Sequence, residues 1–132
     1  MYEVNTLGVI ISAVAGMIIG ALWYGPLFGK VWVRLSNINP DTMDKSKMGL
    51  RYLGAFIGTL VMAYVLANVI EGFAVEELGD ALEAGCTMWF GFIAPVTLGS
   101  VLWGGKSFKL WMLDNAHYLV VLLVMAGIYV NF

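Results

Sequence analysis

Apolar positions fall in four long, nearly unbroken runs, at residues 4–24, 48–70, 84–103 and 110–129. Each is close to the ~20 residues that a helix needs to cross about 30 Å of hydrocarbon. A helix on the surface of a globular domain carries one apolar stripe, whereas these are apolar almost all round. Strands of a membrane barrel would read as segments of ~10 alternating residues, and no such alternation is present. The pattern predicts an all-α fold: an integral membrane four-helix bundle forming a single transmembrane domain over residues 1–132.

The first connection has a pattern of its own. Leu27, Phe28, Val31, Trp32 and Leu35 recur at helical spacing on one face, with Lys30 and Arg34 on another. That predicts a short amphipathic helix over residues 27–36, lying in the interface with its basic groups toward headgroups. Asn39-Pro40 then reads as a cap followed by proline in the first turn, restarting a helix near Pro40. Asp41 and Lys45 would pair four residues apart on it. On the opposite side, residues 74–82 read as a short acidic surface helix.

Composition agrees with the pattern. The chain is 61% hydrophobic and 12% charged, with mean hydropathy +0.85, against about 25% charged residues in soluble domains. In water such a chain would expose large apolar patches, so the lipid bilayer is its expected partner. A net charge of −2 gives no footprint for nucleic acid, and none is expected as a partner. The position of charge is more informative than its sum. Lys30, Arg34, Lys45, Lys47 and Arg51 flank the first connection and Lys106 and Lys109 the third. Glu3, Glu71, Glu76, Glu77, Asp80 and Glu83 occupy the other side, which has no basic residue. Basic loops are retained in the cytoplasm on insertion, so both termini are expected outside. Trp23, Tyr24, Trp32, Trp103 and Trp111 would mark the cytoplasmic interface, and Tyr2, Phe73, Tyr129 and Phe132 the outer one. No lysine or arginine precedes Lys30, so the first run is read as a span rather than a cleavable leader. The single cysteine, Cys86, is read as a small buried filler. No internal repeat supports an inverted-repeat transporter.

Three features carry candidate roles. Gly8, Ser12, Gly16 and Gly20 recur every fourth residue in the first run, and Gly54 and Gly58 repeat that spacing in the second. Small residues let helix backbones approach and gain dispersion contacts, the main attraction available in lipid. The ridge fits packing within one bundle or a seam in a homo-oligomer. Pro95 predicts a kink whose freed carbonyl needs a partner, such as the Thr97 or Thr87 hydroxyl or a water.

The third feature is a polar cluster. Asp114 lies about one turn inside the fourth run, with Asn115 beside it and His117 and Tyr118 on the face that Asp114 shares. Ionisable groups within a span are costly and usually pair inside the bundle. Asp114 and His117 are therefore expected to form a hydrogen-bonded pair in a wet pocket able to hold a ligand or cation or to relay protons. The alternative is a structural network clamping the fourth helix, with Asn68, Thr59 or Thr97. One histidine and one carboxylate fall short of the three or four ligands zinc takes, so no metal is expected. Nothing implies a cofactor: no nucleophile–base pair, phosphate-binding glycine loop or cysteine cluster is present. Gly104-Gly105 reads as a turn.

The segment Gly20-Ala21-Leu22-Trp23-Tyr24-Gly25-Pro26-Leu27-Phe28-Gly29-Lys30-Val31-Trp32 resembles the N-terminal signature of the bacterial membrane proteins grouped as domain of unknown function 1761. A second segment, from Gly91-Phe92 through Ala94-Pro95 and Leu102-Trp103 to Asp114-Asn115-Ala116-His117-Tyr118, resembles their C-terminal half. The resemblance spans nearly the whole chain and implies a four-helix bacterial membrane protein. It carries no activity with it, and it draws attention to Trp23, Tyr24, Asp114, Asn115 and His117.

Three functions remain open on the sequence. The first is a non-enzymatic protein that binds or passes a small ligand, ion or proton near Asp114 and His117. The second is a structural or accessory subunit acting through helix packing. The third is a small enzyme acting on a lipophilic substrate, with His117 as base.

Overall fold

The computed structural model describes residues 1–132 and is entirely helical. Helix α1 (Thr6–Leu22) runs into a π-helical turn at Trp23–Leu27, and α2 (Gly29–Ser36) follows. Helix α3 (Met48–Gly72) is the longest. Helix α4 (Leu78–Met88) passes through a second π-helical turn, Trp89–Ile93, into α5 (Ala94–Leu102). Helix α6 (Phe108–Tyr129) closes the chain. Four of the resulting rods are long and apolar enough to cross a membrane: Thr6–Leu27, Lys45–Gly72, Leu78–Leu102 and Phe108–Tyr129.

Pro26 and Pro95 each accompany one of the two π turns. In the first, Phe28 N–H donates to the Trp23 carbonyl five residues back, at 2.8 Å, carrying the helix past Pro26. In the third span the wide turn resets the hydrogen-bond register so that Pro95 falls in the first turn of α5, where no backbone donor is required. The expected irregularity at Pro95 is present. The Thr97 hydroxyl lies 2.8 Å from the Ile93 carbonyl.

Four local expectations are corrected. Pro40 opens only a single 3-10 turn (Pro40–Thr42), and α3 starts at Met48 after a second such turn at Lys45–Lys47. Asp44 caps that second turn, accepting from the Ser46 amide and hydroxyl, which hold its carboxyl below the ordinary carboxylate value. Asp41 and Lys45 form no ion pair; the one salt bridge in the structure is elsewhere. The acidic segment after α3 is not a separate surface helix, since from Leu78 it is already the start of the third span. Cys86 is exposed on that span rather than buried. The interfacial helix does form, beginning two residues later than expected because the π turn consumes Leu27. Val31, Trp32 and Leu35 are half-buried against the bundle while Lys30 and Arg34 are exposed. Asn37, at φ 58°, ends it in the left-handed conformation that asparagine tolerates.

Both termini and the α3–α4 connection meet at one end of the bundle. Tyr2 N–H donates to Asn68 Oδ1 (2.9 Å) and Asn5 N–H to the Tyr129 hydroxyl (3.0 Å), which itself donates to Glu71 Oε1 (2.8 Å). The core lies in this half: Val9, Ala13, Ala63, Leu66, Ala67, Ile70, Ala81, Val121, Leu122, Met125 and Ala126 form one buried cluster with Tyr129. Close approach depends on missing side chains. A Cβ on Gly16 would meet Thr59 Cγ2 at 2.9 Å and Val121 Cγ1 at 3.3 Å, and one on Gly85 would meet the Leu122 carbonyl at 3.1 Å. Packing of this kind substitutes for the hydrophobic effect between helices in lipid. Few residues are buried toward the basic end, and there the spans leave cavities between them.

Candidate functional site

The small-residue ridge of α1 is occupied by this chain's own fourth span. Gly8 lies against Tyr129 and Phe132, the Ser12 hydroxyl donates to the Met125 carbonyl (3.3 Å), Gly16 packs on Val121 and Met125, and Gly20 faces His117. Gly54 and Gly58 do otherwise. Both are exposed on α3, with no atom within 4 Å of where a Cβ would be.

The polar cluster divides into three parts that the sequence had joined. Asp114 does not pair with His117. Its Oδ1 accepts from the Tyr24 hydroxyl at 2.6 Å, and its Oδ2 forms a 2.8 Å ion pair with Lys106 Nζ. The Asp114 side chain is 15% exposed and Lys106 30%. A charge-assisted triad therefore ties together the end of α1, the α5–α6 turn and the first turns of α6. Gly105, at φ 72°, bends that turn, and the Lys106 amide donates to the Ser100 carbonyl. The physical reason for the broken pair is direction. Side chains on a helix lean toward its N-terminus, so Asp114 reaches back toward the start of α6, where the Lys106 ammonium and the Tyr24 phenol meet it.

Asn115, buried on the face toward the third span, belongs to a structural network. Its Nδ2 donates to the Trp111 carbonyl (2.9 Å), its carbonyl accepts from Trp89 Nε1 (2.8 Å), and the Thr97 hydroxyl lies 3.0 Å from its Oδ1. Trp111 Nε1 donates to the same hydroxyl (3.0 Å). Of the three partners expected for a structural clamp, only Thr97 takes part; Thr59 and Asn68 bond elsewhere.

His117 sits in a cage of rings. Its centroid is 5.0 Å from Tyr24, 5.2 Å from Tyr118 and 5.9 Å from Trp23. Neither of its nitrogens has a hydrogen-bond partner, and neither does Trp23 Nε1.

Two cavities flank this cluster. A polar cleft of about 750 Å³ opens at the basic end between the α1–α2 turn, α2, the Asn39–Asp41 segment and α6. Lys30, Asp41, Asp114, Trp32, Tyr24 and Tyr118 are on its walls. An apolar groove of about 1170 Å³ runs between the first and second spans, with His117 and Tyr118 contributed by α6. The two share Tyr24, Gly25 and Tyr118 as a common wall. Sequence reasoning missed Lys106, Lys30 and Asp41 as companions of the cluster: the lysines had been read for topology and for the amphipathic helix, and Asp41 as a helical partner of Lys45.

The fold and this site define a multi-pass helical membrane protein with a polar cluster at one end of its fourth span. The chain belongs to the family described as "Protein of unknown function (DUF1761)", which matches residues 7–130. No curated protein and no solved structure matches it.

Proposed function

We propose that this is a non-enzymatic binding protein of a bacterial inner membrane that holds the polar part of a small ligand in the cleft beside Asp114. The observation that carries the reading is the cleft itself. Charged and aromatic side chains line about 750 Å³ of open space at the end of a bundle that is otherwise apolar. Such groups are costly near hydrocarbon, and concave sites with a few convergent polar groups are the usual places for ligands. With the basic loops cytoplasmic and both termini outside, the cleft faces the cytoplasm. Tyr24 and Lys106 fix the Asp114 carboxylate, so the wall is organised in advance of a ligand.

Native mass spectrometry of protein extracted gently from its own membranes tests this reading. A retained small molecule is expected on the wild type and on neither Trp32→Ala nor Asp41→Ala, which alter the cleft while leaving the Asp114 triad intact. A wild-type spectrum with no retained mass would sink it. The same spectrum addresses a second reading, an accessory subunit, which is favoured by the open Gly54 and Gly58 face. That role predicts dimers or higher species.

A further inference from the structure

The apolar groove adjoins the polar cleft and has a length that matches one leaflet. Along the first span it extends from Val14 to Gly25, and on α3 from Tyr52 to Met62. Both stretches are about 15 Å at helical rise, half of the ~30 Å hydrocarbon thickness. It begins at the interface, at the Tyr24–Gly25 wall shared with the cleft, and its deep part includes Gly16 and Thr59, where the two spans touch. Gly58, with no atom within 4 Å of where a Cβ would be, leaves it open on the α3 side. The cleft at its mouth offers two unspent charges of opposite sign. Lys30 and Asp41 form no ion pair, whereas Asp114 is already neutralised by Lys106. An ammonium suits a phosphate and a carboxylate suits an amine.

We infer that the occupant is a zwitterionic phospholipid of the same leaflet, with one acyl chain in the α1–α3 groove and its headgroup in the cleft between Lys30 and Asp41. This deepens the proposed function and rests on it, because the headgroup fills the cleft assigned there. An apolar chain explains why a groove lined by Ile18, Leu53 and Phe56 leads away from a cleft lined by charges.

The test uses the full-length protein in vesicles of phosphatidylethanolamine and phosphatidylglycerol, each lipid supplied in turn with a photoreactive group on one chain. Labelling by the phosphatidylethanolamine probe should concentrate on peptides from α1 and α3 that line the groove. Gly58→Leu, whose side chain enters the groove, should reduce it severalfold by taking away packing contacts with the chain. Gly54→Leu is the matched control, on the same helix and equally open but outside the groove, and should label as wild type. Lys30→Ala and Asp41→Asn should each weaken labelling without changing its location. Labelling spread evenly around the bundle, or equal loss in both glycine variants, would overturn the inference. Equal labelling by the two lipids would overturn the zwitterion assignment. If the groove variants change nothing while a mass is still retained through Trp32 and Asp41, the cleft binds a soluble ligand and only this inference fails.

Discussion

The Tyr24 hydroxyl donates to Asp114 Oδ1 at 2.6 Å, joining residues 90 positions apart across the end of the bundle. This bond and the Lys106 ion pair hold a carboxylate in place near the start of the fourth candidate span. Without them the charge would be stranded near hydrocarbon, which is far costlier than an exposed surface charge.

Lys106→Ala should therefore destabilise more than Asp114→Asn. The first leaves a largely buried carboxylate with one phenolic partner, at a cost of about 2 kcal/mol; the second removes the charge and keeps an acceptor, at about 1 kcal/mol. The double variant should be less damaging than the sum of its parts. A double-mutant cycle measured by denaturant unfolding in detergent gives the coupling, and strict additivity would mean that the pair contributes nothing.

Tyr24→Phe removes one hydrogen bond while preserving the ring that meets His117 and Trp32 edge to face. Polar contacts between membrane helices average about 0.6 kcal/mol, and charge-assisted ones lie higher. A loss of about 1 kcal/mol is expected in the same unfolding assay. His117→Phe should be nearly neutral, because the ring contacts persist and no hydrogen bond is lost. A large loss there would show that His117 has a polar partner.

The four spans were legible because bilayer thickness sets a length that soluble helices seldom meet with uniform apolarity. The interfacial helix was legible from the alternation of Val31, Trp32 and Leu35 with Lys30 and Arg34. The internal pairing of the site was not. Spacing says that Asp114 and His117 share a face, but it cannot say which groups approach that face from other helices. Tyr24 arrives from the end of α1 and Lys106 from the turn before α6, and both form contacts that local periodicity does not encode. The π turns were hidden for a similar reason. Pro26 and Pro95 announce an irregularity, but whether it becomes a kink, a break or a widened turn depends on what packs around it. Gly54 and Gly58 show the limit of a spacing motif: they repeat the α1 pattern yet face open space, while Gly85, outside any repeat, packs directly on the backbone of α6 at Leu122.

That contrast gives a matched pair of variants. Gly16→Ala forces a methyl to within 2.9 Å of Thr59 Cγ2 and should cost about 1–2 kcal/mol. Gly54→Ala meets nothing and should be neutral within about 0.5 kcal/mol in a monomer. If Gly54→Ala lowers stability in a concentration-dependent way, the α3 face is in contact with a second copy.

Thr97→Val examines the buried network between the third and fourth spans. The hydroxyl is at once an acceptor for Trp111 Nε1 and within reach of Asn115 Oδ1, so its loss strands a donor and an acceptor together. Replacement by an isosteric methyl should cost about 1–2 kcal/mol, and Thr97→Ser, which keeps the hydroxyl, clearly less. Equal effects of the two variants would assign the site to packing by the methyl group rather than to hydrogen bonding.

Orientation is open to a direct chemical check. In a Cys86→Ser background, single cysteines at Glu77 and Lys109 occupy exposed positions at opposite ends of the bundle. The distribution of lysine and arginine predicts that a membrane-impermeant thiol reagent added outside intact cells labels Glu77→Cys and leaves Lys109→Cys untouched until the membrane is opened. The reverse pattern would invert the protein and turn the cleft beside Asp114 away from the cytoplasm. Labelling of both from one side would contradict four spans altogether. The fold makes that outcome hard to reconcile, because Tyr2–Asn68 and Tyr129–Glu71 contacts gather both termini and the α3–α4 connection at one end, while Asp114 and Lys106 lie at the other.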